Sequence, residues 1–148
     1  MQDVEFTIIE RPDQLPEGLD LEALAAFFHE KMKPYHDTLE DVARGLEYVF
    51  DPLRGGFLVL ATRDRAPVGG LVMLRTHMCG YVPPNLLLFL AVEPTLRGRG
   101  LGGRLIGLAA ARCEGDIKLH VEPENPAARL YRRAGFETKY LEMRWSRR

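Results

Sequence analysis

Apolar and polar positions repeat with two different periods along the chain, and the changes of period predict strands and helices. Alternation and short apolar runs predict strands at residues 4–9, 57–62, 68–78, 86–92 and 117–121, and one bent strand or two short ones at 136–145. A period of three to four predicts helices at residues 21–32, 39–49, 101–112 and 126–134. Gly69 and Gly70 weaken the third strand and predict a β-bulge there. The order β-α-α-β-β-β-α-β-α-β is typical of a mixed α/β domain.

Polar residues place the starts of the predicted helices. Asp20 is suited to cap the first helix. Residues 38–41 resemble a capping box at the start of the second, with Asp in place of the usual Glu or Gln. Asn125 is predicted to cap the last helix, with Pro126 at its first position.

The most informative stretch is a glycine loop between an apolar strand and an Ala-rich helix. The strand at residues 86–92 stops at Pro94, and residues 97–102 lead into the helix that follows. At a helix start the backbone N–H groups lack intrahelical partners and lie at the positive end of the helix dipole. Glycine lets the main chain approach a ligand without a Cβ atom in the way. The sequence therefore predicts a phosphorylated cofactor at this loop.

Two classes of phosphate site are disfavoured by the residues around the loop. A P-loop requires Lys and then Ser or Thr after its last glycine, whereas Gly103 is followed by Arg-Leu. The dinucleotide fingerprint G-x-G-x-x-G is present as Gly98, Gly100 and Gly103, with Glu122 about 20 residues further on. The context argues against that fold, because only 45 residues follow Gly103, too few for the rest of a parallel sheet.

A third interpretation takes the arginine as part of the motif, which then reads Arg97-x-x-Gly100-x-Gly102. This motif resembles the pyrophosphate loop of the GNAT superfamily of acetyl-CoA-dependent N-acyltransferases. Residues 120–136 resemble the second signature of that family, in which a strand is followed by an Asn, a short helix carrying Leu-Tyr and a closing Gly-Phe. The resemblance is strong over residues 86–136 and only topological before them.

The resemblance implies the GNAT fold, a mixed α/β sheet whose two central parallel strands, here 86–92 and 117–121, splay apart around acetyl-CoA. It implies that N–H groups and two arginine side chains of the loop bind the pyrophosphate, while the pantetheine arm pairs with the preceding strand. The Val92 N–H is then an oxyanion-type donor to the thioester, and Asn125 is a helix cap, a cofactor contact or both. The residues implied in cofactor binding are Leu90, Ala91, Val92, Arg97, Gly98, Arg99, Gly100, Leu101, Gly102, Asn125, Ala128 and Tyr131.

The same resemblance implies direct attack of an amine on the thioester. Tyr131 matches the family tyrosine near the CoA sulfur, where it can donate a hydrogen bond to the thiolate or, if its pKa is lowered, a proton. Some members carry a glutamate early in the strand before the loop, but three leucines stand at residues 86–88. His120 and Glu122 are the candidate general bases, acting directly or through water, with Glu93 as a further candidate. The alternative is that an amine of low pKa needs no base.

Composition narrows the function classes without identifying the acceptor. The 148 residues suffice for one domain, expected over 1–148, and their net charge of −1 argues against nucleic-acid binding. No apolar run is long enough to span a membrane, and the N-terminus lacks the features of a signal peptide. Because the two cysteines do not make a disulfide framework, we expect a cytoplasmic protein. The histidines lack metal-ligand spacing, so no metal is expected.

The sequence thus predicts a single-domain GNAT N-acetyltransferase that moves the acetyl group of acetyl-CoA to a primary amine of a small molecule, peptide or protein. An acyl-CoA-binding sensor or interaction domain of the same fold, without catalysis, is the alternative. Family members often pair, which leaves a homodimer open. One cluster of polar residues would attract a cationic amine, although solvated helix ends explain it equally well: Glu30, Tyr35, His36, Asp37, Glu40 and Asp41.

Overall fold

A five-stranded sheet in the order β1-β2-β3-β4-β5 forms the centre of the molecule in the computed structural model, which describes residues 3–147. The first four strands are antiparallel neighbours, and the last two pair in parallel. The predicted mixed α/β class is therefore confirmed. Met1, Gln2 and Arg148 lie outside the described residues, so the expectation about the N-terminus falls partly outside them. The strands are β1 (Glu5–Ile9), β2 (Gly56–Arg63), β3 (Ala66–Arg75), β4 (Asn85–Val92) and β5 (Ile117–Leu119).

Four α-helices pack on the sheet, and their starts follow the capping residues. The helices are α1 (Leu21–Lys31), α2 (Leu39–Phe50), α3 (Leu101–Arg112) and α4 (Ala127–Arg133). The side chains of Asp20 and Thr38 each accept a hydrogen bond from the N–H three residues on, at 2.8 and 3.1 Å. Asn125 accepts from the Ala127 N–H at 2.9 Å, but the helix starts one residue later than predicted, with Pro126 as its N-cap. No helix within residues 3–147 combines the length and apolar character that crossing a bilayer requires.

The helices cover both faces of the sheet and enclose two apolar clusters. Phe28 of α1 and Leu46 of α2 pack on one face. Leu105 of α3 and Tyr131 of α4 pack on the other. Because β2 is covered from both sides, its residues are buried from residue 56 to residue 62 without alternation. Removal of this apolar surface from water is the main force holding the three layers together.

Gly69 and Gly70 lie beside a bulge of β3 and also allow close packing of helices. Ala61 and Thr62 of β2 pair with Gly69 and Pro67, so Val68 is left without a partner on β2 directly before the glycines. The bulge predicted at this point of the strand is therefore present, one residue before Gly69. A Cβ atom on Gly70 would lie 2.7 Å from the ring of Phe28 in α1, and on Gly69 it would lie 3.2 Å from Leu105 in α3, on the opposite face. The missing side chains thus also make room for helices on both faces.

The register of β4 against β3 breaks at Leu88, close to the end of its pairing with β5. Its neighbours Leu87 and Phe89 pair with successive residues of β3, so Leu88 is left without a partner on that strand. On the other side, β5 pairs with β4 only as far as Leu87, which lies opposite Leu119, the last residue of β5. From Leu88 onwards the outer edge of β4 therefore has no paired strand among the described residues, which agrees with the splaying that the resemblance implied.

The predicted C-terminal strand is not formed within the described residues. Residues 136–147 contain no strand, and residues 137–147 are all exposed. Towards the C-terminus, the last described backbone hydrogen bond joins the Phe136 N–H to the Tyr131 carbonyl at 3.0 Å. A strand requires a hydrogen-bonded neighbour, and residues 136–147 pair with no described strand. Consequently β5 is an edge strand and not the central strand that the resemblance implied, and it ends at Leu119 instead of residue 121.

Candidate cofactor and active site

The loop between β4 and α3 presents a row of backbone N–H groups. Gly98 and Gly100 have φ of +78° and +83°, in the left-handed region that favours glycine. Gly100 is the N-cap of α3, and its carbonyl accepts from the Arg104 N–H at 3.0 Å. Within residues 3–147, the N–H groups of residues 98–103 donate to no other backbone group. These free donors lie at the positive end of the α3 dipole, where an anion is stabilised.

Gly102 has a different role from the two loop glycines. It lies in the first turn of α3, and a Cβ atom there would be 2.7 Å from the Leu130 Cδ2 atom of α4. The missing side chain therefore lets the start of α3 pack closely against α4. This contact holds α4, which carries Ala128 and Tyr131, beside the glycine loop.

Arg97 anchors the loop to the rest of the protein. Its N–H donates to the Pro94 carbonyl at 3.3 Å, so the free donors begin at Gly98. Its guanidinium donates from Nε to the Val92 carbonyl at 3.2 Å and from Nη2 to the Lys31 carbonyl at 2.7 Å. Nε and Nη2 of the Arg97 guanidinium are thus engaged by protein carbonyls, and Nη1 has no described partner within residues 3–147. The implied pyrophosphate contact of Arg97 stays a prediction.

A salt bridge reinforces the connection between α1 and this loop. Lys31 Nζ lies 3.0 Å from the Glu93 Oε2 atom, and each side chain is about a quarter exposed, at 26% and 25%. Together with the Arg97 bond to the Lys31 carbonyl, it fixes the last turn of α1 to the segment before the glycines. Sequence reasoning missed this connection, since nothing in the pattern of Lys31 identifies a partner more than sixty residues away.

A small cavity of about 150 Å³ opens beside the loop. Arg99 and Arg104 contribute two cationic side chains to it, and the Arg104 guanidinium lies 4.9 Å from the centre of the Phe6 ring. Within residues 3–147, Arg99 makes no hydrogen bond or ion pair through its side chain. Positive charge is therefore available next to the free N–H groups. The residues lining the cavity are Phe6, Arg99, Gly100, Leu101 and Arg104.

The backbone of β4 offers hydrogen-bonding groups along its unpaired outer edge. The space beside this edge, beyond the end of β5 at Leu119, is called the gap between β4 and β5. The Glu93 N–H donates to the Val68 carbonyl of β3 at 2.8 Å, so the peptide groups of Leu90 and Val92 face the other side by the strand's two-residue period. That side is open beyond Leu87. Ala91 directs its main-chain groups towards β3 and buries its side chain, so the implied cofactor contact at this residue lacks a free donor.

Tyr131 combines a buried ring with an accessible hydroxyl. Its side chain is 8% exposed, and its ring packs edge-on against Phe136 with 5.8 Å between centroids. Burial raises the pKa of Tyr131 to about 12. The Tyr131 hydroxyl makes no hydrogen bond within residues 3–147. Since no fully buried side-chain polar atom lacks a partner there, this hydroxyl reaches the surface. Proton donation by Tyr131 would require a lowered pKa, and burial shifts the pKa of this side chain in the opposite direction.

The segment from β5 to α4 holds the remaining predicted residues. Asn125 acts as a local cap, because its carbonyl also accepts from the Ala128 N–H at 3.0 Å. Ala128 is buried on the same helix as Tyr131. The side chains of His120 and Glu122 are exposed beyond β5 and make no hydrogen bonds within the described chain. Asn125, Ala128 and Tyr131 are thus brought together, while the two candidate bases lie on the surface.

Tyr35 links the two loops that border the gap on the α1 side. Its hydroxyl donates to the Glu124 carbonyl at 3.0 Å, which ties the α1–α2 connection to the segment before α4. Nearby, the His29 and His36 rings meet edge-on with 5.0 Å between centroids. The pattern around Tyr35 suggested only a polar helix end, so its bridging role depends on the tertiary fold.

The acidic cluster between the first two helices is partly neutralised by neighbouring bases. The hydrogen bond from Lys33, at 2.9 Å, lowers the pKa of Glu30. The hydrogen bond from Arg44, at 2.7 Å, lowers the pKa of Asp41. Both carboxylates are therefore paired before any cationic acceptor arrives. In residues 3–147 no group of three or more His, Cys, Asp or Glu side chains could hold a metal ion.

Comparisons with known proteins point to one family. The model of the acetyltransferase (GNAT) domain matches residues 54–138, more than half of the chain. No curated protein matches its sequence at a significant level.

Solved structures share the fold at low sequence identity. An aminoglycoside N-acetyltransferase, AAC(6')-Iy, in complex with CoA is 17% identical with a TM-score of 0.71, covering 98% of this chain and 96% of that one. The same enzyme with a bisubstrate analogue of CoA and acetylneamine is 16% identical, with a TM-score of 0.67 and coverage of 97% and 99%. An aminoglycoside acetyltransferase from an uncultured soil metagenomic sample is 21% identical, with a TM-score of 0.66 and coverage of 98% and 99%.

Proposed function

This chain belongs to the GNAT acetyltransferase family, and from that membership we propose that it binds acetyl-CoA and transfers the acetyl group to a primary amine, with residues 1–148 forming one catalytic domain. The observation that carries the proposal is the row of free N–H groups at residues 98–103 beside the gap between β4 and β5. A diphosphate is the part of the cofactor that such a row binds. Arg99 and Arg104 add positive charge next to it.

The extended arm of the cofactor lies along β4 in this proposal. The main-chain groups of Leu90 and Val92 face the gap, and an extended ligand can pair with them as an added strand does. The Val92 carbonyl is engaged by Arg97 at 3.2 Å, so its N–H is the group left for the ligand. That N–H hydrogen-bonds the thioester oxygen and stabilises the negative charge that develops there.

The reaction forms one bond and breaks one. The neutral amine nitrogen attacks the thioester carbonyl carbon, the new C–N bond forms, and the C–S bond breaks to release the CoA thiolate. Tyr131 donates a hydrogen bond from its hydroxyl to that sulfur. Because its pKa is about 12 and that of a thiol is about 8.5, full proton transfer is uphill by roughly 5 kcal/mol. Tyr131 therefore keeps its proton while it stabilises the thiolate.

The proton of the attacking amine leaves through a base on the β5 side or through water. His120 and Glu122 are exposed and unpaired within the described chain, whereas Glu93 is engaged by Lys31 at 3.0 Å. We assign the base to His120, because an imidazole is the side chain best suited to proton transfer near neutral pH. In His120→Ala the acidic limb of the pH–rate profile is expected to disappear. An unchanged acidic limb excludes His120, and the same measurement on Glu122→Gln then tests the second candidate.

Two measurements test the proposal as a whole. Titration calorimetry is expected to give binding heat with acetyl-CoA and none with NADH, and a response to NADH alone would overturn the cofactor assignment. Release of free CoA is then followed with small amines, polyamines, amino acids, N-terminal peptides and aminoglycosides. Aminoglycosides are included because two of the similar structures are enzymes named for them. Binding without release for every amine favours the sensor alternative.

A further inference from the structure

A row of paired residues crosses the sheet from the gap to the opposite edge, where β1 lies. Each member pairs with the next, in the order Val92 of β4, Gly69 of β3, Ala61 of β2 and Phe6 of β1. At about 4.8 Å between neighbouring strands, the two ends of this row are roughly 14 Å apart. The Leu101 side chain of α3 lies over its middle, 3.3 Å from the position of a Cβ atom on Gly69. The start of α3 therefore lies between the gap and Phe6.

The cavity beside the glycine loop lies at the β1 end of this row and is positively charged. Phe6, Arg99 and Arg104 contribute to its lining. The Arg104 guanidinium lies 4.9 Å from the centre of the Phe6 ring, so a cation–π contact holds it in place. Within residues 3–147 neither arginine makes a side-chain hydrogen bond or an ion pair, and none of the described lining residues is acidic. Two guanidinium groups therefore share one small cavity without a counter-ion from the described chain.

The size and charge of the cavity suit a phosphate group that belongs to a larger molecule. Complete small-molecule sites occupy about 300–1,000 Å³, so a cavity of about 150 Å³ holds only a part of such a ligand. Guanidinium groups bind phosphate oxygens through paired N–H donors. The free backbone N–H groups of residues 98–103 lie next to the cavity and suit a separate anionic group, the diphosphate. The combination suits a ligand that carries a diphosphate and one further phosphate.

We propose that the cavity binds the 3'-phosphate of coenzyme A through Arg104 and Arg99, with Phe6 as the residue that positions Arg104. This assignment rests on the proposed use of acetyl-CoA. Since the pantetheine arm leaves the diphosphate towards the gap, the nucleotide end leaves in the other direction, towards β1. Its 3'-phosphate is the only other anionic group of the cofactor and carries a charge of about −2 at neutral pH. Phe6 lies outside residues 54–138, so the family match does not assign it this role.

Titration calorimetry of the full chain with CoA and with 3'-dephospho-CoA tests the proposal, because the two molecules differ only in this phosphate. The wild type is expected to bind CoA at least about tenfold more tightly. Arg104→Gln is expected to bring the two affinities within about threefold of each other, by weakening CoA and leaving dephospho-CoA unchanged. The matched control is Arg129→Gln, because Arg129 is also exposed and lies on α4, the other helix beside the loop. The control is expected to keep the wild-type ratio.

Two variants of Phe6 test its positioning role. Phe6→Leu keeps an apolar side chain but removes the aromatic face, and it is expected to lower the ratio of the two affinities about threefold. Phe6→Tyr retains that face and is expected to restore the ratio. A purely structural role of Phe6 would weaken both molecules equally and leave the ratio unchanged.

The salt dependence gives a second measurement. Raising the ionic strength from about 0.1 M to about 1 M shortens the Debye length from about 10 Å to about 3 Å. The preference for CoA is therefore expected to fall with salt in the wild type and to change little in Arg104→Gln.

The possible failures of this proposal and of the proposed function are distinguishable. Equal affinities of the wild type for CoA and dephospho-CoA would overturn the 3'-phosphate site and leave acetyl-CoA as the cofactor. Binding of neither molecule would remove the cofactor itself, and the 3'-phosphate site with it. A ratio that Arg104→Gln leaves unchanged overturns the site as well, and its loss in Arg129→Gln instead would place the phosphate beside α4.

Discussion

The glycine loop and the region around β5 border the same gap, yet they acquire their chemistry in different ways. At the loop, the groups offered to a ligand are backbone N–H donors, and their direction follows from the left-handed Gly98 and Gly100. Around β5, the Tyr131 hydroxyl depends on burial for its high pKa, and residues 137–147 pair with no described strand. The comparison teaches that main-chain sites are encoded locally, whereas the properties of a side chain are decided by what packs around it.

The largest effect is expected at the loop, from Gly100→Val. Gly100 has φ of +83°, a conformation that a β-branched residue adopts only with strain. Redirecting several N–H groups is expected to weaken acetyl-CoA binding by about a hundredfold or more, measured by calorimetry. The control is Gly107→Val, because Gly107 lies in α3 with an ordinary φ and no heavy atom within 4 Å of an added Cβ. Equal affinities of the two variants would contradict a site built from the loop backbone.

The burial of Tyr131 predicts an alkaline loss of stability. Its folded pKa of about 12 exceeds the unfolded value of about 10, so the folded state holds the proton more tightly. The resulting stabilisation is complete below pH ~10 and is lost as the pH rises to ~12, an effect of roughly 3 kcal/mol. Urea denaturation should show this additional loss in the wild type and not in Tyr131→Phe. Parallel pH curves for the two proteins would show that burial does not perturb this tyrosine.

Turnover is expected to fall about tenfold in Tyr131→Phe, while the affinity for acetyl-CoA stays the same. The reason is that the lost hydrogen bond is made to the thiolate as it departs and not to the bound thioester. The measurement is the rate of CoA release with an accepted amine, beside calorimetry with acetyl-CoA. The control is Tyr140→Phe, since the Tyr140 side chain is exposed near the C-terminal end of the described residues. Loss of affinity without loss of turnover would assign Tyr131 to binding.

The smallest expected change in acetyl-CoA affinity comes from the loop arginines, Arg97 and Arg99, whose roles differ. Arg97→Gln releases the last turn of α1 from the loop and is expected to weaken acetyl-CoA binding about threefold. It should also speed hydrogen exchange near Lys31, whose carbonyl accepts from Arg97 at 2.7 Å. Arg99→Gln should weaken binding without changing exchange in α1, because the Arg99 side chain has no partner in residues 3–147. Identical exchange in both variants would mean that Arg97 does not anchor α1.

Much of the fold was predictable from local patterns. Asp20 and Thr38 cap the helices they were expected to cap, and the core strands follow apolar runs that two layers of helices bury. The bulge predicted at Gly69 and Gly70 lies one residue earlier, at Val68, whereas the close approach of helices to both glycines was not predicted. The bulge at Leu88 was not predicted, because no glycine or proline lies there.

The candidate site was predictable to the extent that it consists of backbone. The free donors of the loop were expected, except that Arg97 turned out to use its own donors on the protein. The high pKa of Tyr131 was not predictable, because its position in the sequence does not reveal the packing against Phe136. The link from Tyr35 to Glu124 was missed for the same reason, since it joins residues far apart in the chain.

By itself the sequence determined the order of strands and helices, the left-handed glycines and the family to which the chain belongs, because each of these depends on neighbouring residues. Only the tertiary structure decided where β4 leaves β5, what Arg97 holds and how the Tyr131 ring is buried. Those properties arise from contacts between distant segments. Residues 137–147 lie between the two cases, since their alternating pattern predicts a strand, whereas a strand forms only where the segment pairs with another one.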